Sequence, residues 1–433
     1  MYYYEKYNPT VMLLAIAVFT IAAIFLVRKR ISSLIDPLNF HILWCASGLA
    51  LLTGYFWSVG INVDGFLFVV VYIAYIVGLS LFLGKPDNDV TGLQRELDDP
   101  RNTKLFLVCL ALNVVSRYEF ITYAITSPSL VEWFLYRFKQ IEGRSIPQYI
   151  LQLGARPFFL YYLFMLLKTQ RKWRVYLIAV LLVNVFLDIV AGGRSSVISL
   201  LLAYGFFVYR FSPLFPQQTL KRLNIYGAVA VGLALTVGAT VTSYYRPDSS
   251  FEEGILSIAN RLLAAGDGLE MYLANNASAY IPTGLNEYVK SVFGIFIKRV
   301  VDVQTQSIGW RLYELENGIE VPFAVGPNYI LPLQAFVLEK YLAIPYALFI
   351  SFWVAFLRGN AFSRRFISSR PLIFILGLLS FEPALDLELF ILTLSGCLFV
   401  YFVILLPVRR FRFVADWRYT LNLTKQVSTY EKG

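Results

Sequence analysis

The sequence predicts an all-α polytopic membrane protein, and its composition and apolar pattern support this fold class. The 433-residue chain is 58% hydrophobic and only 15% charged, with a mean hydropathy of +0.60. Soluble domains are roughly half apolar and about a quarter charged. The apolar runs are continuous rather than alternating, which favours helices, and several approach the roughly 20 residues that cross a bilayer.

Basic residues follow alternate apolar runs and determine the predicted topology. They cluster at 28–30 ("RKR"), 168–174 ("KTQRKWR"), 221–222, 358–370 and 409–413. Because positive residues in short loops mark the cytoplasmic side, we predict about 11 transmembrane helices, with a periplasmic N-terminus and a cytoplasmic C-terminus. The predicted spans are 11–27, 40–58, 65–84, 104–121, 149–167, 175–191, 195–210, 223–243, 331–357, 371–381 and 388–407.

The predicted spans divide the chain into three parts. Residues 1–243 hold the N-terminal transmembrane helices, 244–330 form one large periplasmic loop, and 331–433 hold the C-terminal helices and a basic cytoplasmic tail. The loop has a mixed composition, and apolar residues such as Ile255 and Ile258 recur in it at helical spacing. We therefore expect a folded helical cap over an outward-facing cavity rather than a linker.

The turn "AGGRSS" at 191–196 joins two predicted spans on the periplasmic side. Its two glycines let another backbone approach closely, and its two serines favour the start of the next helix. A helix N-terminus directs free N–H groups at an anion, and Arg194 adds a permanent charge that binds phosphate oxygens in pairs. The turn therefore predicts a site for a lipid-linked phosphate or diphosphate at headgroup depth.

Further arginines on the predicted outer side are candidates for binding the same anion. Arg117 is informative because it lies at the end of an apolar run, where an unpaired charge is costly. An arginine in that position is a snorkelling anchor, an ion-pair partner or a ligand site. The predicted substrate-binding residues are Arg117, Arg194, Arg246, Arg261, Arg299 and Arg311.

Two carboxylates are the favoured candidates for a general base. Asp267 stands between two glycines at a helix break in "RLLAAGDG", and Glu339 lies near the start of an apolar run. A base that removes a proton from a hydroxyl group needs only one positioned carboxylate. With Arg194, these two residues form the predicted catalytic set.

Several other classes of site are not predicted. His41 is the only histidine, and Cys45, Cys109 and Cys397 lie inside apolar runs, so we predict neither a metal site nor a disulfide framework. The net charge of +10 follows alternate loops, as expected of a membrane protein, so we predict a lipid bilayer and no nucleic acid as partner. No cofactor is expected.

These features resemble the bacterial oligosaccharide repeat-unit polymerases, the Wzy family of O-antigen and capsule assembly. The resemblance rests on the "GGRSS" turn that opens a helix, on the long outward loop before the last spans, and on "VGPNYILPLQAFVLEKYLAIPYALF" at 325–349. It implies a GT-C-type glycosyltransferase architecture and polymerisation of undecaprenyl-diphosphate-linked oligosaccharide units on the periplasmic face of the inner membrane. It also implies that arginines stabilise the diphosphate leaving group, and that a chain-length-regulating co-polymerase is a partner.

Two other functions remain open. An O-antigen ligase shares this architecture, but it is expected to use a histidine in the large outer loop, where this chain has none. A lipid-linked oligosaccharide flippase is expected to have a charged central cavity and short loops on both sides, which the long outer region disfavours. The acidic "DLE" at 386–388 resembles a pair found in some membrane glycosyltransferases, but it receives little weight because it lies near the C-terminus.

Overall fold

The chain folds into helices throughout the part that the structure describes. The structure, a computed structural model, describes residues 3–84, 90–127, 129, 132–133, 146–190, 196–245, 251–301, 307–320, 326–359, 367 and 369–410. Within these ranges there are α-helices, short 3-10 helices and one π-helical segment, and no β-strand. The predicted all-α fold class is confirmed.

The described residues of the N-terminal part form helices of 4 to 29 residues. The helices are α1 (Tyr3–Lys6), α2 (Pro9–Val27), α3 (Pro37–Val59), α4 (Val63–Phe82), α5 (Val90–Leu97), α6 (Arg101–Val115), α7 (Tyr118–Thr126), α8 (Ile146–Thr169), α9 (Arg174–Val190), α10 (Ser196–Arg210) and α11 (Gln217–Tyr245). Asn8, Asp36 and Asn62 precede α2, α3 and α4, and each side chain accepts a backbone N–H of the first turn. These caps satisfy donors that have no partner within the helix, so the sequence fixes where each span starts.

The helices between α11 and the next long span form the cap, which we define as residues 251–301 and 307–317. They are α12 (Phe251–Leu263), α13 (Asp267–Ala274), α14 (Leu285–Val301) and α15 (Ile308–Asn317). The turn between α12 and α13 packs directly on α3, because a Cβ atom at Gly266 would lie only 2.7 Å from the carbonyl oxygen of Gly48. The glycine thus allows backbone contact between the cap and the membrane helices.

The C-terminal part returns to helices that pack on the N-terminal ones. It contains α16 (Leu331–Leu338), α17 (Ala343–Arg358), α18 (Arg370–Leu378), α19 (Glu382–Leu385), α20 (Leu387–Phe399), the π-helical segment Val400–Leu405 and α21 (Leu406–Arg410). Helix α20 crosses α8 at a pair of glycines, where a Cβ atom at Gly396 would lie 2.6 Å from the carbonyl oxygen of Ile150. Small residues allow such close helix packing within a membrane.

Seven helical stretches in the described part are long and apolar enough to cross a membrane. They are Pro9–Arg30, Pro37–Val59, Val63–Phe82, Ile150–Thr169, Arg171–Val190, Lys340–Arg358 and Leu387–Arg410. The pair α6 and α7, bent by 50°, would make an eighth span. The predicted spans 195–210, 223–243 and 371–381 fall on α10, α11 and α18, which are not among these stretches, so the total of about 11 stays a prediction.

The outer surfaces of these helices are apolar, as lipid contact requires. Leu13 and Ile21 of α2 are 64% and 69% exposed, and Val175 of α9 is 77% exposed. A continuous apolar surface of this kind is unfavourable in water and stable against hydrocarbon chains. The chain therefore has the long apolar helices of a multi-pass membrane protein.

Contacts between helix ends divide the molecule into two faces. On one face, which we call the basic face, Arg358 pairs with Asp36 at 2.6 Å, and Lys168 Nζ donates to the carbonyl oxygen of Leu214. On the other, which we call the capped face, Lys340 of the turn before α17 pairs with Asp64 at 2.8 Å. The basic face carries the helix ends that the sequence assigns to the cytoplasm, and the capped face those that it assigns to the periplasm.

Candidate functional site

A kink between α6 and α7 positions Arg117 on the capped face. The two helices meet at 50°, and Arg117 is the residue that precedes α7. The hydroxyl of Ser116 donates to the carbonyl oxygen of Asn113, a local bond that accompanies the change in direction. The kink turns the Arg117 side chain toward α9, where it is 7% exposed.

Side-chain and backbone oxygen atoms of helix α9 accept from or pair with the Arg117 guanidinium. Arg117 Nη2 lies 2.6 Å from Asp188 Oδ1, and it donates to Asn184 Oδ1 at 3.0 Å. Arg117 Nη1 donates to the backbone carbonyl of Asn184 at 3.2 Å. Asn184 and Asp188 are one helical turn apart, so they present one polar stripe to the guanidinium.

A second arginine shares the same carboxylate. Arg156 of α8 lies with Nη2 2.8 Å from Asp188 Oδ2, and its side chain is 32% exposed. The angle at this contact does not make a hydrogen bond, and Asp188 Oδ2 has no hydrogen-bond partner among the described residues. Arg156 is therefore held mainly by charge, which leaves its N–H groups available to a ligand. We call Arg117, Arg156 and Asp188 the arginine cluster.

The arginine cluster carries one more positive charge than negative. Arg156 belongs to the candidate span Ile150–Thr169, and an arginine at that depth needs a partner, water or a ligand. Beside the cluster, Phe120 and Val190 form a small apolar core with partly buried neighbours that include Trp133. The arrangement is a cationic centre next to an apolar and aromatic surface, which suits an amphiphilic anion.

The predicted arginines differ in whether they lie among the described residues and in whether they belong to the arginine cluster. Arg194 and Arg246 lie outside the described residues, and of Arg299 only the place in the last turn of α14 is described. Arg194 follows Asp188 by six positions in the chain, so the predicted turn begins where the arginine cluster ends. Arg117 is the one predicted substrate-binding residue that the described part brings into this cluster.

Two predicted arginines belong to the cap. Arg311 of α15 pairs with Glu287 of α14 at 2.7 Å, which ties these two cap helices together. Arg261 lies exposed near the end of α12. Arg311 has a carboxylate of its own, which balances its charge, whereas Arg117 and Arg156 share Asp188.

Asp267 begins α13 at the contact between the cap and α3. Its Oδ1 accepts the N–H of Gly268 at 2.7 Å. Burial raises the pKa of the Asp267 carboxyl to about 7, and the negative charge of Glu270 adds to this shift. A carboxyl with this pKa exchanges protons near neutral pH, as a general base must.

Glu270, one turn after Asp267, is already bound by the N-terminal segment. Its Oε1 accepts from Lys6 Nζ and from the hydroxyl of Tyr7, each at 2.5 Å. The backbone N–H of Tyr3 donates to Asn260 Oδ1 of α12 at 2.7 Å. The segment before the first span therefore docks on the cap and balances the charge of Glu270, while no cation among the described residues pairs with Asp267.

Glu339, the other predicted base, occupies a turn. It follows α16, and its Oε1 accepts the N–H of Lys340 at 3.1 Å, which caps the 3-10 turn before α17. The side chain is partly exposed. Capping this turn is a structural role for the Glu339 carboxylate, and a role as a base requires an experimental test.

The structure adds a carboxyl group that the sequence did not favour. Glu382 begins α19, where burial raises its pKa to about 7 and the charge of Asp386 adds to the shift. Helix α16 lies between this group and the cap, because Gln334 donates to the carbonyl oxygen of Pro383 at 2.9 Å while a Cβ at Gly268 would meet Leu333. The signal in the sequence was "EPALDLE", three acids directly after an apolar run.

The histidine and cysteines are buried in the helix core. His41 Nε2 lies 2.8 Å from the hydroxyl of Tyr75, and Cys45, Cys109 and Cys397 are free and buried. In the described part of the chain, no group of three or more His, Cys, Asp or Glu side chains is placed to hold a metal ion.

The family resemblance rests on a few short motifs. Searches against protein families, curated proteins and solved structures found no match to this chain. The turn that carries Arg194 lies outside the described residues. The resemblance therefore remains an expectation, and the arginine cluster is the feature of the described residues that bears on it.

Proposed function

We propose that the protein is a membrane glycosyltransferase that polymerises lipid-diphosphate-linked oligosaccharide units on the capped face. The observation that carries this proposal is the sharing of Asp188 by Arg117 and Arg156. Two guanidiniums with one carboxylate leave a positive charge beside an apolar surface. A diphosphate on a polyprenyl chain matches both properties.

In this proposal the arginine cluster stabilises the leaving group. An acceptor hydroxyl oxygen attacks the anomeric carbon, the bond from that carbon to the diphosphate oxygen breaks, and negative charge grows on the diphosphate. Arg156 would bind that charge, because its contact with Asp188 lacks hydrogen-bond geometry. Arg117 would hold Asp188 and the kinked helix in place through its bonds to α9. By sequence, Arg194 would add a third cation.

The acceptor hydroxyl must lose a proton, and Asp267 is our candidate for receiving it. Its pKa of about 7 allows it to take up and release a proton at neutral pH. The undecaprenyl diphosphate carrier is released with its charge, so no nucleotide sugar is required. A co-polymerase that sets chain length is the partner we expect, and the periplasmic side of the bacterial inner membrane is the location.

The test is synthesis of polymer by the purified full-length protein. The protein is mixed with a diphosphate-lipid-linked repeat unit, and the products are separated by size. We expect a ladder of longer products, and we expect Arg156→Gln to slow its formation by about 10²–10³-fold, as the loss of a group that stabilises charge in the transition state does.

Two matched variants test whether the effect is specific to the positive charge at position 156. Arg171→Gln removes an exposed arginine from the basic face and should leave the rate of polymer synthesis unchanged. Arg156→Lys keeps a positive charge and should retain part of the rate that Arg156→Gln loses. Transfer of the unit across vesicle membranes without elongation would identify a flippase instead. Transfer to lipid A core in place of a second repeat unit would identify a ligase.

A further inference from the structure

The basic face holds a cavity lined by arginines, distinct from the arginine cluster. It has a volume of about 310 Å³ and lies where α5, α6, α8, α18 and α21 meet. A second, more open depression of about 670 Å³ shares Arg95, Asp99 and Arg101 with it and connects it to the surface. The charged and aromatic residues that line the cavity are Arg95, Glu96, Asp99, Arg101, Tyr161, Tyr162, Arg370 and Arg409.

The two carboxylates of this cavity already have cationic partners. Glu96 pairs with the buried Arg210 behind the cavity at 3.0 Å, and it accepts a hydrogen bond from the hydroxyl of Tyr161 at 2.6 Å. Asp99 pairs with Arg101 at 2.8 Å. Burial alone would raise the pKa of Asp99, but hydrogen bonds from Arg101 and the charge of Arg409 bring it below its usual value. Both carboxylates are therefore already paired with an arginine.

The remaining arginines give the cavity its excess charge. Arg370 is partly buried and donates through Nη1 to the carbonyl oxygen of Gly92 at 2.8 Å, which leaves other N–H groups of the guanidinium for a ligand. Arg409 is also partly buried, while Arg95 is exposed at the mouth. Four guanidiniums and two carboxylates line a concave space, and Arg210 behind it pairs with one of those carboxylates. The lining therefore carries excess positive charge, which is the arrangement expected for a phosphate group.

We propose that this cavity binds a phosphate group, through Arg370 and Arg409, at the face that the sequence assigns to the cytoplasm. Either the headgroup of an anionic phospholipid or a free phosphate offers that chemistry. The proposal is independent of polymer synthesis, because none of its residues lies on the capped face.

The experiment measures the thermal unfolding midpoint of the full-length protein in an uncharged detergent. Sodium phosphate is compared with sodium chloride at equal ionic strength, and dihexanoyl phosphatidylglycerol with dihexanoyl phosphatidylcholine. We expect phosphate, phosphatidylglycerol or both to raise the midpoint of the wild type by about 2 °C or more at saturation. A shift with phosphatidylglycerol alone indicates a lipid headgroup, and a shift with phosphate as well indicates a site open to free anions.

Variants assign the shift to the cavity. We expect Arg370→Gln/Arg409→Gln to weaken the apparent affinity about tenfold or more, and Arg409→Gln serves if the double variant does not fold. Arg171→Gln/Arg174→Gln removes the same charge from exposed positions of the same face and should keep the shift. Arg156→Gln, on the capped face, should keep it too. The proposal is overturned if neither ligand shifts the wild type, if the cavity variants keep the full shift, or if only Arg156→Gln loses it.

Discussion

The buried arginines of the basic face and those of the capped face are compensated in different ways. On the basic face each has its own carboxylate: Arg358 pairs with Asp36 and Arg210 with Glu96, and all four side chains are at most 3% exposed. On the capped face two arginines share Asp188, and Arg156 is 32% exposed.

The difference separates structural charges from charges that can serve a ligand. Asp36 also accepts the N–H groups of Ser32 and Leu38, and the guanidinium of Arg358 lies 3.9 Å from the ring centre of Tyr209. Both side chains of this pair are at most 1% exposed, so its loss should affect folding. The arginine cluster is one carboxylate short and partly open, so its loss should affect anion binding more than folding.

The largest expected effect is on stability, from breaking a closed pair. Asp36→Asn leaves the positive charge of Arg358 unpaired in the core, and we expect the free energy of unfolding to fall by about 3–5 kcal/mol. The measurement is unfolding in mixed detergent micelles. The matched control is Asp99→Asn, which breaks a pair whose Arg101 and Asp99 side chains are 51% and 21% exposed, and it should cost about 1 kcal/mol or less. A loss of about 1 kcal/mol or less in Asp36→Asn as well would show that the Asp36 pair is not structural.

An intermediate effect is expected when the shared carboxylate is removed. Asp188→Asn leaves two guanidiniums without a counter-ion, and we expect a loss of about 1–3 kcal/mol. Inorganic pyrophosphate should then replace the missing charge and recover about 2.7 kcal/mol at a concentration 100 times its Kd. The readout is the unfolding midpoint with and without pyrophosphate.

Asp36→Asn is the comparison for this rescue, because its unpaired arginine is closed to solvent. Pyrophosphate should raise the midpoint of Asp188→Asn clearly more than that of Asp36→Asn. Equal shifts would mean that pyrophosphate acts elsewhere, for example at the cavity on the basic face, and would remove the support for an anion site at the arginine cluster.

The same comparison shows which parts of the molecule the sequence could predict. The caps Asn8, Asp36 and Asn62 stand immediately before apolar runs, so local rules locate the helices that follow them. The partners of the polar side chains inside the apolar runs were harder to predict, because they come from helices far apart in the chain. Asp188 is the only charged residue of its run, and this isolation was the available signal that it has a cationic partner.

The carboxylates show the same limit. The Gly-Asp-Gly pattern identified Asp267 at a helix break, and the structure places it there, beside α3. Its pKa depends on burial, and α13 packs against α3, α4 and α16, contacts that the local pattern does not contain. The sequence pattern did not single out Glu382 for the same reason, because its burial depends on packing against α16.

A further expected effect concerns pH. Burial raises the pKa of Asp267 to about 7 in the folded protein, well above the value of about 3.9 in an unfolded chain. The folded state therefore binds the proton more tightly, and the free energy of unfolding should fall as pH rises from about 4 to about 7. Polymer synthesis should show the opposite trend, because a base acts in its ionised form and gains activity as pH rises through about 7.

Asp267→Asn should remove both dependences, and Glu339→Gln is its matched control. Glutamine at 339 still accepts the N–H of Lys340, so we expect the free energy of unfolding to change by no more than about 0.5 kcal/mol. If Glu339→Gln rather than Asp267→Asn abolishes the rise in activity, Glu339 is the base. If neither does and Glu382→Gln does, the proton is accepted on the α19 side of α16, by a carboxyl group that the sequence pattern did not single out.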